Sequence, residues 1–462
     1  MSRIGYKPID LVTLSISLGI AFIPLCLVWT SIEMSLVLSF FSVSGLIAAV
    51  LPRYIAKNNA LIISALVFFT LFFVVAPVVQ LAYSPSVLVN TMLLDAETAS
   101  YANLYVAFFL LVFIISTEFF LKKVRCQPIT IATSNDKISI SALVLVSACI
   151  SIYAFLDMSA SSALIQTETD PTSQALKYKI IYFIPFFAIS ILLQTNLKSS
   201  KKLIVFVILL LCVFATKNYL TERRNAIGPV YLSIIALAFP VIVRKGRLFF
   251  YFILSVMVVA FPASSLLTHA KRGEEISLSY SAVTDAILKH FLELHYDAWA
   301  NFVATIEMVN KSGHTMGGQL IGSVFFFIPR SLWESKPYPT GVMIGDYLSG
   351  KYQMWFNNLS APIVAEGYLD FGAIGIVFFA IATSYFCIKI KALSLTGNYL
   401  HFTLYVYASF FLFFILRGAL LPATVYFFGA VATIYLVPIF MRRYRFNYKS
   451  AHLLAGFTRK HK

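Results

Sequence analysis

The chain has 462 residues, of which 59% are hydrophobic and 12% charged. A soluble domain carries roughly 25% charged residues around a core that stops growing at about 250–300 residues, so this composition excludes a soluble enzyme and a disordered chain. The net charge of +16 would suit a nucleic-acid partner, but Lys/Arg bias beside apolar helices produces the same excess with no nucleic acid involved.

Apolar runs of about 18–24 residues recur along the chain. Each is long enough to cross a bilayer as a helix and too continuous for the alternating strands of a β-barrel. In chain order they predict about 12 transmembrane helices, at 10–29, 33–51, 60–83, 101–121, 138–157, 179–197, 203–216, 226–243, 248–267, 366–387, 399–416 and 421–441. The expected fold is therefore all-α, a polytopic integral membrane protein. Nine helices fill 1–267, a long outer loop fills 268–365, three helices fill 366–441, and 442–462 is a basic tail. Arg3 and Lys7 precede the first run and no small-residue cleavage site follows, which reads as a retained first helix.

Placing both termini in the cytoplasm puts about 23 of the 36 basic residues on that side, with only Asp10, Glu118 and Asp136 among the acids, as the positive-inside rule requires. The five cysteines lie in or beside apolar runs with no CxxC spacing, which argues against a disulfide framework and a cysteine metal site. Glu118 and Lys122 are spaced for a local i,i+4 ion pair. The span interiors otherwise read as free of ionisable residues, which speaks against an ion-driven transporter.

The outer loops carry the chemistry. Asp95-Ala-Glu97 and Glu168-Thr-Asp170 are acidic triplets of the kind usually just solvated. The loop 217–225, KNYLTERRN, carries Arg223 and Arg224, Arg272 follows the ninth helix, and Arg417 ends the eleventh. Basic residues on the outer side run against the orientation rule. They are explained either by an outer-leaflet anion, which arginine grips bidentately, or by snorkelling and pairing with Glu222, Glu274 and Glu275.

The long loop holds Trp299, Trp333 and Trp355 and four histidines, His269, His290, His295 and His314, with no paired spacing such as HExxH. No metal or cofactor is expected. Residues 283–310 read as one amphipathic helix, and 319–328 (QLIGSVFFFI) is too short to span. In FIPRSLWESKPYPTG, Arg330 and Lys336 flank Trp333. Glu366 then stands where the chain re-enters the membrane, followed by Gly367, Gly372 and Gly375, whose spacing allows close backbone approach. Glu366 is either a general base in a partly desolvated mouth or a carboxylate favoured by a helix N-terminus.

Trp333-Glu334-Ser335-Lys336 inside PRSLWESKP, and Glu-Gly-Tyr-(x)3-Gly-(x)2-Gly at 366–375, resemble the O-antigen polymerase superfamily, closest to its oligosaccharide repeat unit polymerases with a Trp-x-x-Lys signature. The resemblance covers mainly 217–230 and 268–375. It implies a GT-C-like membrane glycosyltransferase of the bacterial inner membrane with its active site on the periplasmic face. Such an enzyme moves a growing glycan from undecaprenyl diphosphate to the non-reducing end of another lipid-linked repeat unit. The lipid-linked oligosaccharide and the bilayer are the implied partners, with a chain-length-regulating copolymerase as a further candidate.

In that frame Arg223, Arg224, Arg272 and Arg417 stabilise the leaving diphosphate, and Glu366, His295 or Asp297 deprotonates the attacking hydroxyl. Trp299, Trp333 and Trp355 stack on sugars or anchor in the interface, and Arg330, Lys336 and Asn357 complete the loop motif. The related ligases carry a loop histidine where this chain has Asn357, Asn358 and Glu366, which leaves the base open. The competing readings are a lipid-linked oligosaccharide flippase and an O-antigen ligase.

Overall fold

The structure, a computed structural model, describes residues 11–123, 140–163, 179–195, 198–218, 224–262 and 280–440. Among these the regular structure is helical, apart from one antiparallel pair of two-residue strands, Ser86–Val87 with Met92–Leu93. The longer helices are α1 (Leu11–Leu27), α2 (Met34–Ala56), α3 (Ala60–Tyr83), α4 (Ala96–Lys123), α5 (Ile140–Ala163), α6 (Ile181–Leu193), α7 (Ser199–Thr216), α8 (Arg224–Ala238), α9 (Gly246–Ala260), α10 (Tyr280–Leu292), α11 (Ala298–Ser312), α12 (Gly318–Val324), α13 (Thr340–Tyr352), α14 (Ile363–Ser394), α15 (Tyr399–Arg417) and α16 (Leu420–Phe440). Seven of them, α2, α3, α4, α7, α14, α15 and α16, are long and apolar enough to cross a membrane, and α1, α6, α8, α9 and the Ile140–Leu156 part of α5 are shorter apolar helices. Helices satisfy their own backbone groups, which lets them sit in hydrocarbon. Their outward faces carry exposed apolar side chains such as Leu38, Ile115, Leu211 and Ile374. The chain is a polytopic all-α membrane protein.

α3 lies at the centre, with every side chain from Ala60 to Val74 buried. It is tied to α15 by Ser64, whose hydroxyl donates to the Ser409 carbonyl at 2.5 Å, and by Ala60 N–H to the Tyr405 hydroxyl at 3.2 Å. Its backbone widens to a π-turn at Leu71–Val75, immediately before Pro77, where an ordinary turn would crowd the proline ring. α4 begins on Asp95, whose carboxylate accepts from Thr98 N–H at 3.0 Å and from its hydroxyl at 2.5 Å. Those two bonds hold the Asp95 carboxyl below its usual range, so this member of the first acidic triplet acts as a helix cap. Glu168 and Asp170 lie outside the described residues.

Two expectations give way here. Glu118 does not pair with Lys122; it faces α2, where it accepts from Arg53 at 3.0 Å, Lys57 at 2.8 Å and the Tyr54 hydroxyl at 2.8 Å. Three donors from a neighbouring helix outweigh one from its own. The helix expected over 283–310 is two helices. α10 stops at Leu292, Glu293 is extended (φ −86°, ψ 170°), a single turn follows at Leu294–Tyr296, and α11 begins at Ala298. From Ala298 to Val309 α11 also has no exposed face, because α4, α13 and α14 enclose it, and only its last turn, Asn310–Ser312, is exposed. The segment QLIGSVFFFI forms α12 and the turn after it, with Ile321, Val324, Phe325 and Phe327 exposed.

Candidate functional site

Three of the residues named from the sequence converge on the link between α15 and α16. Arg417 is the last residue of α15, and its Nη2 donates to Asp297 Oδ1 at 2.8 Å and to the Leu294 carbonyl at 3.0 Å. Asp297 is 2% exposed and sits just ahead of α11. Its carboxylate also accepts from the Ser360 hydroxyl at 2.7 Å, Ser360 N–H at 3.1 Å and the Asn301 amide at 2.9 Å. Four donors fill the acceptor capacity of one carboxylate. In this arrangement Asp297 locks the α10–α11 corner to the guanidinium, and its role as a proton acceptor would require breaking that set. The guanidinium keeps capacity in hand: Arg417 Nε is buried with no hydrogen-bond partner among the described residues.

Three residues further on, Leu420 N–H donates to Glu366 Oε1 at 2.6 Å, while the Thr340 hydroxyl donates to Oε2 at 2.6 Å. Glu366 is 1% exposed. It joins the starts of α13, α14 and α16, and the positive ends of helix dipoles favour a carboxylate there. Asp297, Arg417 and Glu366 are therefore held at one end of the bundle by a single short link.

α14 is not one rod. Phe371 (φ −142°, ψ 19°) and Gly372 (φ 61°, ψ −140°) break it. A straight helix would separate Gly367 from Gly375 by about 12 Å, yet a Cβ on Gly367 would lie 2.8 Å from the Gly375 carbonyl oxygen, and one on Gly375 would run into the Gly367 carbonyl. The chain folds back at Gly372, so a short limb carrying Glu366 lies against the following apolar helix. The close approach expected of these glycines is present.

The same limb carries Asp370, a fully buried carboxylate in a span expected to hold no ionisable group. It accepts from the Thr315 hydroxyl at 2.6 Å and from the N–H groups of Gln319 at 3.1 Å and Leu320 at 2.9 Å, which caps α12. Its i,i+4 spacing from Glu366, which places both on one helix face, was the available signal. His314 Nδ1 lies 3.0 Å from the Tyr368 carbonyl, beside the break.

The Trp-x-x-Lys string is held mostly by its own backbone. Arg330 donates to the carbonyls of Lys336 at 2.6 Å and Pro337 at 3.0 Å and lies 4.1 Å over the Tyr338 ring. Lys336 donates to the carbonyls of Phe326 at 2.7 Å and Ile328 at 2.8 Å. Burial, with Arg330 nearby, holds its ammonium below the usual range. Both cations close the loop on itself. Trp333, half-buried, donates to the Ser335 hydroxyl at 3.1 Å. Trp355 is 72% exposed, and Asn357 reaches Asp346 at 3.4 Å.

Trp299 cannot stack on a sugar as placed. It is 0% exposed, donates to Asn103 at 2.8 Å and packs on Phe40 at 5.4 Å, because α11 is enclosed by helices. Its expected place in the sugar site gives way to core packing. His295, two residues before Asp297, lies 3.4 Å from Glu293. Arg223 and Arg272 lie outside the described residues. Arg224 opens α8, and its side chain also lies outside them. No family model, no curated protein and no solved structure matches this chain.

Proposed function

We propose that the chain is a surface-polysaccharide polymerase of the inner membrane. In this reading the seven long and five shorter apolar helices make the twelve crossings of a GT-C-like fold, with residues 280–362 on the periplasmic face. The observation that carries the reading is the meeting of Asp297, Arg417 and Glu366 on the α15–α16 link. A cation with an unused N–H and a carboxylate on one short link suit a reaction in which a diphosphate leaves while a hydroxyl attacks.

The growing glycan's C1–oxygen bond to undecaprenyl diphosphate breaks, and the acceptor's hydroxyl oxygen forms the new glycosidic bond. Its proton goes to Glu366 once the Thr340 hydroxyl turns away. Arg417, with Arg223, Arg224 and Arg272, stabilises the departing diphosphate. A proton-driven transporter is disfavoured because Glu366 and Asp370 lie in the short folded-back limb and serve helix starts.

The test is the glycan ladder of a deletion strain complemented with variants. Glu366→Gln retains one acceptor for Leu420 N–H and can donate to Thr340, so the protein should insert at normal levels. Polymer should fall by about 10²- to 10⁴-fold, the usual contribution of a positioned base, leaving single-repeat glycan. Arg224→Ala should shift the ladder the same way. A full ladder from both variants at normal expression would remove the proposed chemistry.

A further inference from the structure

The corner between α10 and α11 brings together side chains that the proposed reaction does not use. His290 lies in the last turn of α10, Glu293 beyond its end is extended, and the turn Leu294–Tyr296 returns His295 to the same side. The two imidazole rings lie 4.4 Å apart, tilted by 35°. One ligand atom from each of His290, Glu293 and His295 lies within 4.8 Å of the others. We propose that these three residues bind a divalent first-row transition-metal ion of the zinc class. The proposal stands on the corner alone and does not require the polymerase reading.

The donor set selects the metal. Two imidazoles and one carboxylate suit zinc and its neighbours and disfavour magnesium and calcium, which take oxygen ligands. Zinc–nitrogen bonds of about 2.0–2.1 Å place tetrahedral ligand atoms roughly 3.4 Å apart. His295 Nε2 and Glu293 Oε2 are already 3.4 Å apart. Closing the rest of the set from at most 4.8 Å takes up to about 1.4 Å of side-chain movement, which the half-buried His295 and Glu293 can supply. Three protein ligands leave one position open for water or an anionic oxygen.

The frame around these ligands is built rather than incidental. Gln80 donates to the Phe291 carbonyl at 2.9 Å and lies 3.4 Å from that of Tyr296. Arg417 holds the Leu294 carbonyl, and the Tyr296 hydroxyl donates to Met257 of α9 at 3.1 Å. Groups from α3, α9 and α15 thus fix the backbone that carries the ligands. His290 is 2% exposed, and the rings of Phe261 at 5.1 Å and Tyr296 at 5.6 Å wall it from solvent. A shell of this kind orients metal ligands. Asp297 pairs with the Arg417 guanidinium beside the corner at 2.8 Å.

The experiment uses the full chain in lipid nanodiscs, stripped with chelator and with any polyhistidine tag removed. Zinc chloride is titrated by calorimetry and bound zinc is counted by mass spectrometry. One zinc per chain with a dissociation constant at or below about 1 µM is expected. His295→Ala and Glu293→Gln alter part-exposed side chains, and circular dichroism checks their folding. Each should weaken binding by more than about 100-fold, beyond the loss typical of a supporting group alone. His314→Ala, at an exposed histidine outside the corner, should bind as the parent does. Cobalt(II) should give a tetrahedral d–d spectrum in the parent that His295→Ala abolishes. Absence of saturable zinc binding, or unchanged affinity in both corner variants, would overturn the proposal. Because no glycan is measured, failure here is separable from failure of the polymerase reading.

Discussion

Arg417→Ala is expected to destabilise the protein by about 3–5 kcal/mol, the cost of stranding a buried charge by removing its partner. Asp297 is 2% exposed and has no solvent to turn to. The same substitution releases the Leu294 carbonyl, so the α10–α11 corner loosens with it. Asp297→Asn should cost less, because Arg417 is part-exposed at 22% and keeps its bond to Leu294. In the double variant the charge conflict vanishes, and the total loss should fall short of the two single losses by at least about 1.5 kcal/mol. Thermal unfolding of the four proteins in one nanodisc composition measures this coupling. Additive losses would show that the pair contributes no more than its separate contacts.

The second large effect is expected at the glycines of the folded-back limb. At Gly367 and Gly375 the obstacle to a side chain is backbone, which cannot turn aside as a flexible side chain can. Gly375→Ala should therefore push the limbs apart at a cost of about 1–3 kcal/mol or more. It should also displace Glu366 from Leu420 N–H and Asp370 from the start of α12, with loss of the glycan ladder. Gly372→Ala should cost about 1–3 kcal/mol through its backbone alone, since φ 61° with ψ −140° is open essentially only to glycine. Gly350→Ala provides the contrast. It lies in α13 with nothing within 4 Å of a built Cβ and no positive φ, so alanine there should be neutral or stabilise by about 0.5–1 kcal/mol. Equal tolerance at Gly375 and Gly350 would contradict the folded-back geometry.

The helices were legible because a run of about 20 apolar residues has few other fates. An apolar helix occurs at each expected segment, although among the described residues seven are long and apolar enough for a full span. What stayed hidden follows from where the partners lie. Glu118 reads naturally with Lys122, four residues away, but its observed partners stand more than 60 residues off in the chain. Trp299 looked available because Ala, Trp, Phe and Val spell a helix without saying what encloses it. Arg330 and Lys336 looked like ligand-facing cations, yet their partners are main-chain carbonyls, which every residue carries and no pattern marks. The glycines at 367, 372 and 375 announced close approach, but not that the chain would reverse to achieve it. The His290–Glu293–His295 cluster was invisible for a related reason. On a continuous helix, residues 290 and 295 point apart, and only the break at Glu293 brings them together.

The most direct measurement is the surface glycan of a clean deletion strain, resolved by size. The proposed polymerase activity predicts that the ladder disappears while a single repeat unit remains attached to its acceptor, and that plasmid-borne parent chain restores it. Loss of all repeat-unit glycan would point instead to a flippase or ligase, and an unchanged ladder would contradict the account outright.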